Sequence, residues 1–213
     1  MGDTRIKVCG ITSPADAKLA SSHGVDYLGL IFARSPRRVT VEAARNIRKA
    51  VPNAMLVGVF VDAPVDEVAA TARTCRLDLV QLHGKESPDY CDALHAQMSL
   101  PIIKVFSASQ LAGADRLKQY KRTSYFLFDL DKEDRAREQD KRQGAHDDLW
   151  QRAATLRRLG YRIFLAGGLD ESNVSQAVRH VEPYAIDVVR GVEESPGVKD
   201  PAALSRFIKA VRR

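Results

Sequence analysis

Two side chains stand at the ends of strand-like runs, and both are of a type that moves protons. Cys9 closes the run Arg5-Ile6-Lys7-Val8-Cys9, and Asp129 closes Phe126-Leu127-Phe128. A thiolate acts as a base or nucleophile when nearby positive charge lowers its pKa. A carboxyl beside apolar walls is biased toward its protonated form, which suits a general acid at neutral pH. Each also has a plainer reading: a free Cys often packs as a small core hydrophobe, and an acid after a strand caps a helix or faces solvent. Arg37, in Ser35-Pro36-Arg37, can clamp a carboxylate through two parallel N–H bonds or be one more surface arginine. Gly167-Gly168 and Gly191 can present backbone N–H groups to a phosphate, although a glycine pair also simply turns a chain. His83 lacks partners at metal-ligand spacing, so it reads as a packed or hydrogen-bonded histidine.

These residues are strung along an alternation of short β-rich runs and amphipathic stretches. Strand-like runs fall at 5–9, 27–32, 55–61, 77–82, 101–106, 124–128, 162–165 and 185–189. Helices are expected to start at Ser13-Pro14, after Thr40, at 65 and near Ser87-Pro88, then weakly over 110–120, and over 148–158, 171–181 and 201–211. Near-continuous apolar strands, each followed by a helix, predict a parallel sheet covered by helices. Eight such units fit a closed (β/α)8 barrel, read as one domain over 1–213. A doubly wound open sheet is the alternative. It usually carries a Gly-rich dinucleotide turn after the first strand, where this chain has Cys9-Gly10-Ile11-Thr12. In a barrel the chemistry sits at the C-terminal ends of the strands. The polar residues there are Cys9, the 35–37 loop, Asp62, Gln81, His83, Lys104, Asp129, Gly167-Gly168 and Asp187 with Arg190-Gly191. The glycines then follow the seventh and eighth strands, where barrels commonly bind phosphate, and their coincidence favours that reading. The one compositional break is 131–148, with seven acids and five bases, expected to be an active-site-face loop or partly disordered.

Bulk composition narrows the classes. The chain has 213 residues, 45% hydrophobic and 28% charged, with thirteen Gly and three Cys. That excludes collagen-like, disulfide-rich and disordered chains, and no apolar run approaches the roughly 20 residues that span a bilayer. The N-terminal residues show no signal-peptide apolar region, so no membrane partner is expected and the chain reads as cytoplasmic. Cys9, Cys75 and Cys91 are far apart and fit reduced thiols. A net charge of +6 admits nucleic acid or small anions as partners. No aromatic-and-basic strand resembles an RNA-binding motif, so no nucleic acid is expected.

Lys7-Val8-Cys9-Gly10-Ile11-Thr12 resembles the opening motif of the phosphoribosylanthranilate isomerases, the (β/α)8 enzymes of tryptophan biosynthesis. Further matches follow in the family's order. They are Gly29-Leu30-Ile31-Phe32, Ser35-Pro36-Arg37, Val80-Gln81-Leu82-His83-Gly84, Leu165-Ala166-Gly167-Gly168-Leu169 with Asn173-Val174, and Asp187-Val188 with Gly191-Val192-Glu193 and Pro196-Gly197-Val198-Lys199-Asp200. The resemblance implies an Amadori rearrangement of a phosphorylated aminosugar, with no metal or organic cofactor, by a monomer or homodimer. It implies Cys9 as general base, Asp129 as general acid, Arg37 at the anthranilate end, Asp187 as a substrate-binding carboxylate, and Gly167, Gly168 and Gly191 as phosphate donors.

Three departures stand out. Val189 and Arg190 replace two small hydroxyl residues, so Arg190 is expected to supply a charged phosphate donor instead. The charged stretch 131–148 replaces a Gly-Gly-Thr-Gly loop, and Glu171 replaces a proline. They leave two rivals to the family reaction: a paralogue acting on another aminosugar phosphate adduct, and a catalytically silent barrel that only binds.

Overall fold

The computed structural model describes residues 4–110, 113–130 and 144–212. Eight parallel strands close on themselves in sequence order: β1 (Arg5–Cys9), β2 (Tyr27–Ile31), β3 (Met55–Phe60), β4 (Leu79–Leu82), β5 (Ile102–Ser107), β6 (Tyr125–Asp129), β7 (Ile163–Leu165) and β8 (Ala185–Val188). Around them run α1 (Pro14–Ser22), α2 (Val41–Ala50), α3 (Val65–Cys75), α4 (Pro88–Gln97), α5 (Ala114–Lys118), α6 (Gly144–Arg158), α7 (Val174–Val181) and α8 (Pro201–Val211). The closed barrel decides against the open sheet. Among the described residues no helix is long and apolar enough to cross a membrane.

Helix starts follow the local chemistry. The Ser13, Thr40 and Ser87 side chains accept hydrogen bonds from the backbone N–H groups of Asp16, Ala43 and Tyr90, and Asp200 accepts from Ala202 and Ala203. Proline in the first turn of α1, α4 and α8 forfeits an N–H that would have no helical partner anyway.

The period-two alternation of the strands sorts the interior into two layers. Ile6, Val8, Leu28, Leu30, Ile102 and Phe106 face the helices. Tyr27, Val57, Leu79, Ile103, Val105, Leu127, Phe164 and Ala185 fill the lumen. At its N-terminal end the lumen is stoppered by aromatic rings. Tyr125 and Tyr184 pack on that lumen cluster, and both the Tyr27 and Tyr125 hydroxyls hydrogen-bond that of Tyr184.

Four expectations are adjusted. The helix expected from 148 starts at Gly144, because His146 anchors its first turn: its Nε2 hydrogen-bonds the Gly167 carbonyl and its ring packs on Trp150. Residues 144–148 of the charged stretch are therefore helical, and 131–143 lie outside the described residues. The helix expected over 110–120 shrinks to α5, which follows Gly113 at φ +98°. Residues 171–173 precede α7 rather than opening it. A short hairpin, β9 (Glu193–Ser195) with β10 (Val198–Lys199), was not expected; it follows a 3₁₀ turn at Arg190–Val192.

Candidate active site

The C-terminal mouth of the barrel opens into a cavity of about 830 Å³. Cys9, Arg37, Asp129, Gly167, Gly168, Asp187, Arg190 and Gly191 all line it, so all eight candidate residues converge on one space. Gln81 and His83 line it too. Lys104 and Asp62, also polar strand-end residues, do not. Lys104 occupies a helix-facing position of β5, where its ammonium donates to the Leu82 and Gly84 carbonyls and to Glu86. Asp62 accepts from the Lys85 N–H and stays in the loop.

Cys9 ends β1 on the lumen side, in register with Gly29 of β2. A Cβ on Gly29 would lie 2.5 Å from the Cys9 Sγ, so the glycine creates the thiol's space. Two residues earlier, Lys7 points the same way and is in register with Asp187 of β8. Its ammonium donates to Asp187 Oδ1 at 2.9 Å, with both side chains buried. Burial pushes the Cys9 thiol above its ordinary value, against the pull of the Lys7 ammonium; Asp187 adds to the rise and Lys199 opposes it. Burial likewise pushes the Asp187 carboxyl up, against the attraction of Lys7.

Asp129 ends β6 with Oδ1 accepting the Leu130 N–H at 2.8 Å and Oδ2 3.8 Å from His83 Nε2. His83 is in turn 3.2 Å from the Gln81 amide nitrogen. At another edge of the cavity, Gly167 and Gly168 adopt φ +96° and +60°, conformations that disfavour a side chain. A Cβ on Gly191 would lie 2.4 Å from the Leu169 carbonyl oxygen. Glycine at 191 lets the strand-eight turn pass close to the Leu169–Asp170 backbone. Asn173 Nδ2 donates to the Gly168 carbonyl and braces that loop. Arg190 is exposed at the rim and has no ion pair among the described residues.

Arg37 is held rather than loose. Its Nε donates to both carboxylate oxygens of Glu193 at 2.9 Å, and its Nη2 to Oε2 at 2.6 Å. Glu193 also accepts from Lys199, whose ammonium donates to the Cys9 carbonyl. Lys7, Gly29, Glu193 and Lys199 were not singled out in the sequence as site residues. Lys7 had a legible signal, a charge inside an apolar strand; Glu193 and Lys199 had only their place in the C-terminal motif. Among the described residues no cluster of three or more His, Cys, Asp or Glu side chains is placed to hold a metal ion.

A family model described as N-(5'phosphoribosyl)anthranilate (PRA) isomerase matches residues 6–210. The chain is 43% identical over 213 residues to the N-(5'-phosphoribosyl)anthranilate isomerase of Citrifermentans bemidjiense, covering 99% of this chain and 98% of that one. Among solved structures, phosphoribosyl anthranilate isomerase from Thermotoga maritima superposes with a TM-score of 0.84 at 31% identity, covering 98% of both chains. A solved structure of phosphoribosyl anthranilate isomerase in complex with reduced 1-(o-carboxyphenylamino)-1-deoxyribulose 5-phosphate gives a TM-score of 0.81 at 30% identity, again over 98% of both. The match runs through every strand that delivers a group to the cavity, and the chain belongs to the N-(5'-phosphoribosyl)anthranilate isomerase family.

Proposed function

We propose that this protein converts N-(5-phosphoribosyl)anthranilate into 1-(2-carboxyphenylamino)-1-deoxyribulose 5-phosphate, an Amadori rearrangement in tryptophan biosynthesis. The observation that carries the reading is the convergence of a lumen thiol, a carboxyl and glycine-lined loops on one cavity, in a chain of this family. Asp129 donates a proton to the furanose ring oxygen, the C1–O bond breaks, and the anilino nitrogen's electron pair forms a protonated Schiff base. Cys9, as thiolate, removes the C2 proton, and the electron pair left behind makes the C1–C2 double bond of an enolamine. Ketonisation returns a proton to C1 and releases the one on the C2 hydroxyl. C1 is reduced and C2 oxidised within one molecule, so no external electron acceptor enters the balance. One base, one acid and fixed anion anchors are what such a proton shift requires.

The Lys7 ammonium favours the thiolate of Cys9 over its thiol and holds Asp187 by one oxygen, leaving the other for the substrate. Arg37 takes the anthranilate carboxylate. Gly167, Gly168 and Gly191 offer backbone N–H groups to the phosphate, and Arg190 adds a cation there. We take the chain as one barrel domain over 1–213, acting in the cytoplasm as a monomer or homodimer.

The test is to supply freshly made phosphoribosylanthranilate to the purified protein and follow the loss of its fluorescence. Turnover is expected; none at millimolar substrate overturns the reading. The place of Arg190 among the phosphate loops favours a second reading, a relative that accepts a different amine or a differently phosphorylated sugar, and faster turnover of such an adduct would select it.

A further inference from the structure

The β9–β10 hairpin folds back over the end of β1. Thr12 donates to the Gly197 carbonyl at the hairpin's turn, at 2.6 Å. Within this contact Glu193, its side chain 4% exposed, is shared by two cations. Arg37 approaches through Nε and Nη2, and Lys199, fully buried, approaches at 2.8 Å. The Lys199 ammonium also donates to the Cys9 backbone carbonyl at 2.7 Å. Gly197 N–H adds a fourth donor to the same carboxylate at 3.2 Å. The aliphatic stem of Arg37 lies along Gly10, where a Cβ would meet Arg37 Cδ at 2.6 Å.

This arrangement decides which edge of Arg37 is free. A guanidinium has five N–H donors in a rigid fork. Glu193 occupies Nε and one hydrogen of Nη2, so the Nη1 edge and the second Nη2 hydrogen remain. We propose that Glu193 is the positioning residue for Arg37, presenting this remaining edge to the substrate's aryl carboxylate, and that Lys199 tethers the pair to the strand end carrying Cys9. The specificity for a carboxylated arylamine then depends on the hairpin as well as on the arginine. Burial pushes the Glu193 carboxyl up, but Arg37 and Lys199 outweigh it and hold it below the usual range, in agreement with a carboxylate charged throughout neutral pH.

The inference rests on the assignment of Arg37 to the carboxylate, and its test separates the two. Two substrates are compared, phosphoribosylanthranilate and the adduct of aniline, which lacks the carboxylate. Wild-type protein is expected to prefer the first in kcat/KM by on the order of tenfold to a hundredfold, the range of a charge-assisted hydrogen bond. Glu193→Gln is expected to shrink that preference to about threefold or less, chiefly through KM for the carboxylated substrate, with the aniline adduct affected by a smaller factor. A merely structural role for Glu193 would slow both substrates together. Undiminished preference in Glu193→Gln overturns the inference while leaving Arg37 in place. Absence of preference in wild type overturns the Arg37 assignment and the inference with it. Glu193→Asp, which keeps the charge but shortens the reach, serves if Gln is not tolerated, and loss of preference is again expected. Lys199→Met keeps the fork and removes its tether; a preference between those of wild type and Glu193→Gln is expected, and a wild-type preference there overturns the tethering role.

Discussion

Two buried lysines on opposite sides of the barrel, in β1 and β5, divide the molecule's labour. Lys7 and Lys104 both sit in strands, both are 2% exposed or less, and both pair with a buried carboxylate. Lys7 faces the lumen, in register with Asp187 and two residues from Cys9. Lys104 faces the helices, where Glu86 also gathers the N–H groups of Asp62 and Gly84. The first pair charges the reaction space; the second stitches two loops to the wall behind it. Side-chain parity, and neither burial nor charge, separates the two roles.

The comparison breaks most readily on stability and rate taken together. Replacing either lysine by Met strands a buried carboxylate and is expected to cost about 3–5 kcal/mol, read by denaturant unfolding. Only Lys7→Met is expected to lower kcat as well, by about tenfold or more, whereas folded Lys104→Met keeps kcat within about threefold of wild type. A Lys104 variant as slow as the Lys7 variant would erase the division. Next in size, Cys9→Ala and Asp129→Asn should each reduce kcat by on the order of a hundredfold with the fold retained; near-wild-type turnover would remove them from the chemistry. Gly29→Ala forces the Cys9 thiol aside, and a loss of about tenfold in kcat is expected.

The thiols offer a direct pH comparison. Burial pushes Cys91, on the helix side, up to about 11, and pushes Cys9 above its ordinary 9.0 against the opposing ammoniums. Only the thiolate alkylates, so the rate at each cysteine rises with pH through its own pKa. Cys9 lines the open cavity whereas Cys91 is fully buried in a helix, so Cys9 is expected to react before Cys91 in a peptide-resolved iodoacetamide titration. Lys7→Met, by removing a charge that favours the thiolate, should move the Cys9 midpoint upward. A downward move would contradict the role given to Lys7. Smallest of all, Arg190→Ala should raise KM about threefold at low ionic strength, with the difference fading in high salt because the side chain is exposed. Unchanged KM would leave the phosphate to the backbone donors.

Most of the barrel was legible because each strand is a compact apolar run and several helices open on Ser-Pro, Thr or Asp-Pro. The candidate site was legible for the same reason: strand ends are visible wherever apolar residues stop. What that rule lacks is direction, which is why it placed Lys104 and Asp62 beside Cys9 and Asp129. Period two supplies the direction once a lumen residue is known, and the alternation Ile6, Lys7, Val8, Cys9 already carries it. The hairpin was harder to see. Its strands have three and two residues, and they form by docking on the β1 loop, a contact 185 residues away in the chain for Thr12 and Gly197. The early start of α6 depends in the same way on a long-range partner, the Gly167 carbonyl.

The tyrosine hydroxyls that meet at the N-terminal end turn the barrel into a cup with one door. In the proposed reaction substrate and product share this one opening. Product is therefore expected to compete with substrate, raising the apparent KM and leaving kcat unchanged. Tyrosine rings and packed lumen residues seal the cup from below, which keeps bulk water from the buried lysine beneath the thiol.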